Sequence, residues 1–307
     1  MRFKRPLALL SALVLVFALA CSAFAADVSW EEIRSSDLQS RSLLDEACYT
    51  AETAAVLKAA YQARQTAAPG TEQALAAYRD YMAALDGLKF VPNRFADVPK
   101  DIWYTPAVDF VQASGAMNGT GANRFDPSLL MTRAMAVTVL YRLVSPPEVP
   151  AAAPFTDVPR GQWYTAAVDW AYSAGVVKGV TATAFAPDAP VTREQMAALL
   201  ARLVGVGEPE QATIDALPGY LAQIYSDGAA VSAYAQWPVM ANYMSGLMKG
   251  DASGTFRPQD TMTRAECAQL MLNVYDAGIL PDVQRRYSGT QPDWEDDWED
   301  PELMEYA

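Results

Sequence analysis

Histidine is absent from all 307 residues of the chain. The commonest general base near neutral pH and the commonest transition-metal ligand are therefore missing. Cysteine is scarce. Cys21, Cys48 and Cys267 lie far apart, which excludes a disulfide framework. Basic charge is short too: 23 Lys and Arg face 36 Asp and Glu, for a formal net charge of −13. With no basic cluster, the chain is a poor nucleic-acid binder, because phosphate binding needs Lys and Arg density. The apolar run at 7–20 is short for a membrane span.

Apolar residues make up 51% of the sequence, enough for a packed core. The first 25 residues read as a secretory signal. Arg2, Lys4 and Arg5 precede the apolar run, and Ala23-Phe24-Ala25 is a small-x-small cleavage site before Ala26. Cys21 raises a lipoprotein alternative, although Ala18-Leu19-Ala20 lacks the Leu usual three residues upstream. A membrane role is implied only if Cys21 is lipidated or the signal stays uncleaved.

Residues 26–90 are Ala-rich and read as helices over 29–47, 50–65 and 71–88, with the clearest break at Pro69-Gly70. Tyr78, Tyr81, Met82, Leu85 and Leu88 recur three and four apart, giving an amphipathic face. That face suits either packing within a helical hairpin or docking of a partner.

Beyond Phe95 the chain repeats itself. Phe95, Asp97, Trp103, Gly119, Phe125, Pro127, Thr132 and Arg133 recur sixty residues later as Phe155, Asp157, Trp163, Gly179, Phe185, Pro187, Thr192 and Arg193. A third copy, seventy-one residues on, supplies Gly250, Phe256, Pro258, Thr263 and Arg264. Its start has drifted: Asp227 answers Asp157 one residue short, and Tyr234, not Trp237, takes the Trp163 place. The extra length is a connector at 205–224 with a short helical piece. The boundaries read as 91–148, 151–208 and 209–280, followed by an acidic disordered tail at 281–307.

Within each repeat, Asp97-Val98-Pro99 and Asp157-Val158-Pro159 look like turns leading into a helix, with Asp as a cap. That helix stops at Gly115, Gly175 or Gly246. Val176-Val177 suggests a short extended piece before the Phe-x-Pro element. A second helix then opens at Thr. Thr263 with Glu266, and Thr192 with Gln195, form capping boxes; Thr132 with Met135 does not. The second helices share an i, i+3, i+4, i+7 stripe: Ala136, Val139, Leu140, Leu143; Met196, Leu199, Leu200, Leu203; Cys267, Leu270, Met271, Val274. No two-helix unit can bury such a face alone, so three units are expected around a pseudo-threefold axis, with Cys267 a core thiol.

Arg133, Arg193 and Arg264 each occupy the first position of a helix, the end that disfavours a cation by roughly 0.3–1 kcal/mol. A cation placed there three times suggests an awaited anion, since Arg forks and helix N–H groups suit a carboxylate. The alternative is that each Arg pairs with an Asp or caps a carbonyl. Trp103, Trp163 and Tyr234 suit either stacking on a sugar or the core.

The pattern Phe-x-Asp-Val, Trp-Tyr, Gly, Phe-x-Pro, Thr-Arg resembles the S-layer homology domain in three tandem copies, over residues 95–277. The resemblance implies a mainly α fold, a three-pronged pseudo-trimer. It implies non-covalent attachment of a secreted protein to the bacterial cell wall through secondary wall polysaccharide, commonly pyruvylated. Ligand-binding residues carried over are Arg133, Arg193, Arg264, Asp97, Asp157, Asp227, Trp103 and Trp163. No cofactor or metal is implied; Asp251-Ala252-Ser253-Gly254 lacks the spacing of a calcium loop. Met135 replaces the family Glu and Tyr234 its Trp, so the groove of Arg193 keeps the pattern best. Two rival functions remain: a surface scaffold whose repeats bind no glycan but whose N-terminal helices or tail recruit a protein, and a wall hydrolase using paired carboxylates. The latter has little room for a catalytic domain, so no enzyme is expected.

Overall fold

The computed structural model describes residues 28–36, 43–147, 152–207 and 209–288. The expected signal and residues 289–307 of the expected tail lie outside the described residues. Among the described residues the chain is mainly helical, with eleven α-helices and no β-strand. It divides into two units between Asn93 and Arg94.

The first unit holds α1 (Trp30–Ser36), α2 (Ala51–Thr66) and α3 (Glu72–Asp86). Thr50 and Thr71 cap α2 and α3 through their side chains. The helix expected over 29–47 is instead α1 and a 3-10 turn, Glu46–Cys48. The Trp30 indole donates to the Leu44 carbonyl at 2.8 Å, tying the non-helical segment to the helix. Ile33, Leu57, Tyr81 and Leu85 are buried in its core, whereas Tyr78 is exposed. The amphipathic face of α3 is thus spent largely on packing inside this unit.

The second unit holds the repeats. The first helices are α4 (Thr105–Ala113), α6 (Thr165–Ser173) and α9 (Gln236–Met244). The second helices are α5 (Arg133–Val144), α7 (Arg193–Val204) and α10 (Arg264–Asp276). All twelve residues of the shared stripe are buried. Each second helix packs against the first helix of the next repeat: α5 on α6, α7 on α9, and α10 back on α4. Backbone bonds close the same circle, from Met131 N to Met262 O (2.8 Å), from Met262 N to Val191 O (3.0 Å) and from Val191 N to Met131 O (3.0 Å). Three copies of one local sequence thereby satisfy one another around a pseudo-threefold axis.

Gly115, Gly175 and Gly246 end the first helices in the left-handed region. The Thr192 and Thr263 capping boxes form, and Thr132 caps without reciprocation. The connector carries α8 (Gln211–Ile224), held by buried Leu217 and Leu221. Val176-Val177 is not extended: both N–H groups bond the Ala171 carbonyl at the end of α6.

The tail also begins later than its composition suggests. Leu280–Arg286 forms a helix, α11. Gln284 Nε2 donates to the Leu143 carbonyl (3.1 Å) and the Tyr287 hydroxyl to the Leu203 carbonyl (3.1 Å), so α11 satisfies the open ends of α5 and α7.

Candidate functional site

The arginines stand at the first positions of α5, α7 and α10, as the Thr-Arg spacing requires. Their donors are largely committed. Arg133 Nε donates to Phe185 O (2.8 Å) and Nη2 to Lys178 O (3.2 Å). Arg193 Nε donates to Phe256 O (2.7 Å) and Nη2 to Lys249 O (3.4 Å). Arg264 Nε donates to Phe125 O (2.7 Å) and Nη2 to Asn118 O (2.7 Å). Each guanidinium also lies over the Phe ring whose carbonyl it holds, at 4.7, 5.1 and 4.5 Å from the centroids. Burial is the chief cause lowering the pKa of all three guanidiniums from the ordinary arginine value.

Helix-start N–H groups are taken as well. Arg193 N and Glu194 N donate to Asp260 O and Pro258 O, and the other two helices do the same with their neighbours. The first two N–H groups of these helices are therefore closed to an anion, contrary to the sequence expectation. The carbonyl-capping alternative describes Nε and Nη2, and leaves Nη1 for other work.

Asp97, Asp157 and Asp227 clamp the Phe-x-Pro loops rather than capping the first helices. Asp157 accepts from Phe185 N (2.8 Å) and Ala186 N (2.7 Å). Asp97 holds Phe125 N and Asp126 N, and Asp227 holds Phe256 N and Arg257 N, at the same distances within 0.1 Å. The one-residue slip of Asp227 is absorbed without loss of the clamp. The clamp is needed because Asp126, Ala186 and Arg257 sit at φ 53°, 58° and 57°. A non-glycine residue there costs roughly 1–3 kcal/mol, which the carboxylate's two hydrogen bonds offset. Burial opposes ionisation of Asp97 and Asp157, but the backbone donors outweigh it and hold both carboxyls below 3.8. Asp and Arg thus grip the two sides of one Phe residue, Asp its N–H and the previous repeat's Arg its carbonyl.

Gly179 permits this arrangement. A Cβ there would stand 2.7 Å from the Phe155 ring and 2.6 Å from Ala184 O. Gly119 and Gly250 meet Phe95 and Tyr225 in the same way, which identifies Tyr225-Ser226-Asp227 as the third Phe-x-Asp.

Trp103 and Trp163 are not core residues: each is 58% exposed, and Tyr234 53%. A cleft of about 530 Å³ joins Trp103 of repeat 1 to Arg193 of repeat 2 and to Lys249, Asp251, Arg257 and Glu266 of repeat 3. All three repeats therefore contribute to one cleft. Within it, Glu266 Oε1 lies 3.0 Å from Arg257 Nη2 and 3.7 Å from Arg193 Nη1. The pseudo-threefold relation assigns Trp163 to the Arg264 cleft and Tyr234 to the Arg133 cleft.

One polar link had no clear sequence signal. Glu194, 3% exposed, accepts from Ser232 N (3.0 Å), Ser232 Oγ (2.7 Å) and the Tyr234 hydroxyl (3.0 Å). Burial first and Glu194 second push the Tyr234 phenol up to about 12. The hint was Glu194 standing where the other repeats have Ala134 and Ala265.

Comparison with known families decides what these units are. The S-layer homology domain matches residues 94–136, 154–197 and 224–268. The chain carries three tandem S-layer homology domains. Its repeat region is 33% identical over 177 residues to an endoglucanase of Bacillus sp. (strain KSM-635), covering 58% of this chain and 18% of the relative. It is 29% identical over 180 residues to an S-layer protein of Bacillus thuringiensis subsp. finitimus, covering 58% of this chain and 21% of that protein. S-layer protein sap of Bacillus anthracis is 35% identical over 106 residues, 34% of this chain and 13% of that protein. The chain spans about a fifth or less of the length of these curated relatives.

Proposed function

We propose that the three S-layer homology domains attach this protein non-covalently to the bacterial cell wall by binding secondary wall polysaccharide in the clefts between repeats. The carrying observation is the convergence of an exposed indole, Trp103, and a guanidinium, Arg193, from different repeats on one cleft of about 530 Å³. An aromatic face with adjacent cations suits a sugar that bears a carboxylate, and a pyruvyl ketal is such a group. The protein is read as a secreted wall-attachment component rather than an enzyme. What it shares with an endoglucanase and with S-layer proteins is a small part of each, which suits a module for holding different cargo at one place.

The test is sedimentation of the protein with purified wall sacculi, before and after chemical removal of their polysaccharide. Retention should require the polysaccharide. Equal retention on stripped sacculi would overturn the glycan reading. The scaffold alternative is favoured by one observation, the use of the arginines as carbonyl hooks, and it expects no retention on either preparation.

A further inference from the structure

The repeats hold their exposed aromatic ring by two different means. In repeats 1 and 2 the indole leans on the next residue. Trp103 meets Tyr104, and Trp163 meets Tyr164, edge to face at 5.2 Å and 89°. Each tyrosine precedes a threonine that opens the first helix and ties the turn before it. Thr105 Oγ1 donates to Pro99 O (2.6 Å) and Thr165 Oγ1 to Pro159 O (2.9 Å). Repeat 3 has neither device. Ala235 stands where the tyrosines stand, and Gln236 where the threonines stand. Tyr234 is nevertheless almost as open as the two indoles.

The replacement comes from repeat 2. Glu194 is the second residue of α7, where α5 and α10 carry Ala134 and Ala265. Its carboxylate accepts from Ser232 N and Oγ, which fixes the turn, and from the Tyr234 hydroxyl, which fixes the ring. Among the described residues no cation is bonded to Glu194, so these three donors are what it holds. A carboxylate buried at an otherwise alanine position is unfavourable unless its oxygens are bonded. Glu194 and the remodelled turn of repeat 3 therefore depend on each other. The charge of Arg133 reaches the Tyr234 phenol, which sets the ring beside the Arg133 cleft. With its hydroxyl proton given to Glu194, the ring offers that cleft its face. A ring fixed in advance loses less rotamer freedom when a ligand stacks on it.

We propose that Glu194 is a positioning residue for the wall polysaccharide: it tethers the Tyr234 ring at the Arg133 cleft, the task that Tyr104 and Tyr164 perform for the indoles of the other two. This rests on the glycan-binding reading and adds to it a residue too buried to meet the sugar itself.

The test compares full-length variants on polysaccharide-bearing sacculi, at a temperature where the melt of each shows it folded. Tyr234→Ala removes the ring and sets the full loss. Glu194→Ala keeps the ring and removes its tether, and Tyr234→Phe removes the tether with Glu194 in place. Both should bind roughly two- to tenfold more weakly, the range for one side chain that must be ordered on binding. Adding Tyr234→Trp and Ala235→Tyr to Glu194→Ala rebuilds the buttress of repeats 1 and 2 and should restore binding. A purely structural Glu194 would lower the melt without changing the affinity of the folded protein. The tether also has its own signature: the Tyr234 phenol, raised to about 12 by burial and by Glu194, should titrate lower in Glu194→Ala. Normal binding by Tyr234→Ala, by Tyr234→Phe or by folded Glu194→Ala overturns the assignment. So does a rebuilt buttress that binds no better than Glu194→Ala. If the unchanged protein is not retained by these sacculi at all, the glycan reading itself falls, and this assignment with it.

Discussion

Arg264 Nε donates to the carbonyl oxygen of Phe125 at 2.7 Å, joining residues 139 apart in the chain. That bond closes repeat 3 on repeat 1, as Arg133 closes 1 on 2 and Arg193 closes 2 on 3. The guanidiniums hold the ring together whether or not a ligand is present.

Removing one should therefore unfold the protein more readily. From the sequence, Arg193→Ala is expected to leave stability nearly unchanged because no buried partner is orphaned. The structure reverses this: Phe256 O and the face of the Phe256 ring lose their partner. Arg193→Ala should cost roughly 2 kcal/mol in urea unfolding. Arg193→Lys should recover little, because one ammonium cannot serve two carbonyls and stack on a ring. Unchanged unfolding for both variants would show that the hooks contribute nothing.

The Asp clamps predict a direction for pH. Asp97 and Asp157 titrate below 3.8 in the folded chain. Groups with a depressed folded pKa contribute stability that is present above the unfolded value and lost as pH falls through the folded one. Melting temperature should hold down to about pH 5 and fall steeply below about pH 4. Asp157→Asn should melt lower at neutral pH and show a shallower acid loss. An acid limb of the same steepness in that variant would locate the titration elsewhere.

The caps differ between repeats. Thr263 accepts from Glu266 N at 3.2 Å while the Glu266 carboxylate accepts from Thr263 N at 2.9 Å; Thr132 only accepts, from Met135 N at 3.2 Å. Thr263→Ala should cost roughly 1 kcal/mol and Thr132→Ala less. Equal losses on denaturant unfolding would mean that the reciprocal half of the box is idle.

Cys267 is fully buried, and burial pushes its thiol up to about 12. At pH 8 it should resist a thiol reagent in the native protein, as almost no thiolate forms. Labelling of Cys267 in folded protein at the rate of unfolded chain would contradict its place in the core.

Local periodicity was enough for much of this architecture. The stripe from Ala136 to Leu143 and its two copies marked the second helices and the buried face, because helical spacing is a property of consecutive residues. Thr192-Gln195 and Thr263-Glu266 marked helix starts for the same reason. What the sequence determined is the repeat unit: where each helix begins, where a glycine ends it, and that three copies must share one core. What only the tertiary structure decided is the use of the polar residues. Asp157 bonds N–H groups 28 and 29 residues away, Arg133 bonds a carbonyl 52 residues away, and Trp103 faces an arginine from another repeat. Nothing in the spacing of consecutive residues encodes those distances. They arise when three similar units close around one axis, which turns each helix-start cation toward the next repeat's carbonyl and leaves the clefts to differ by single side chains.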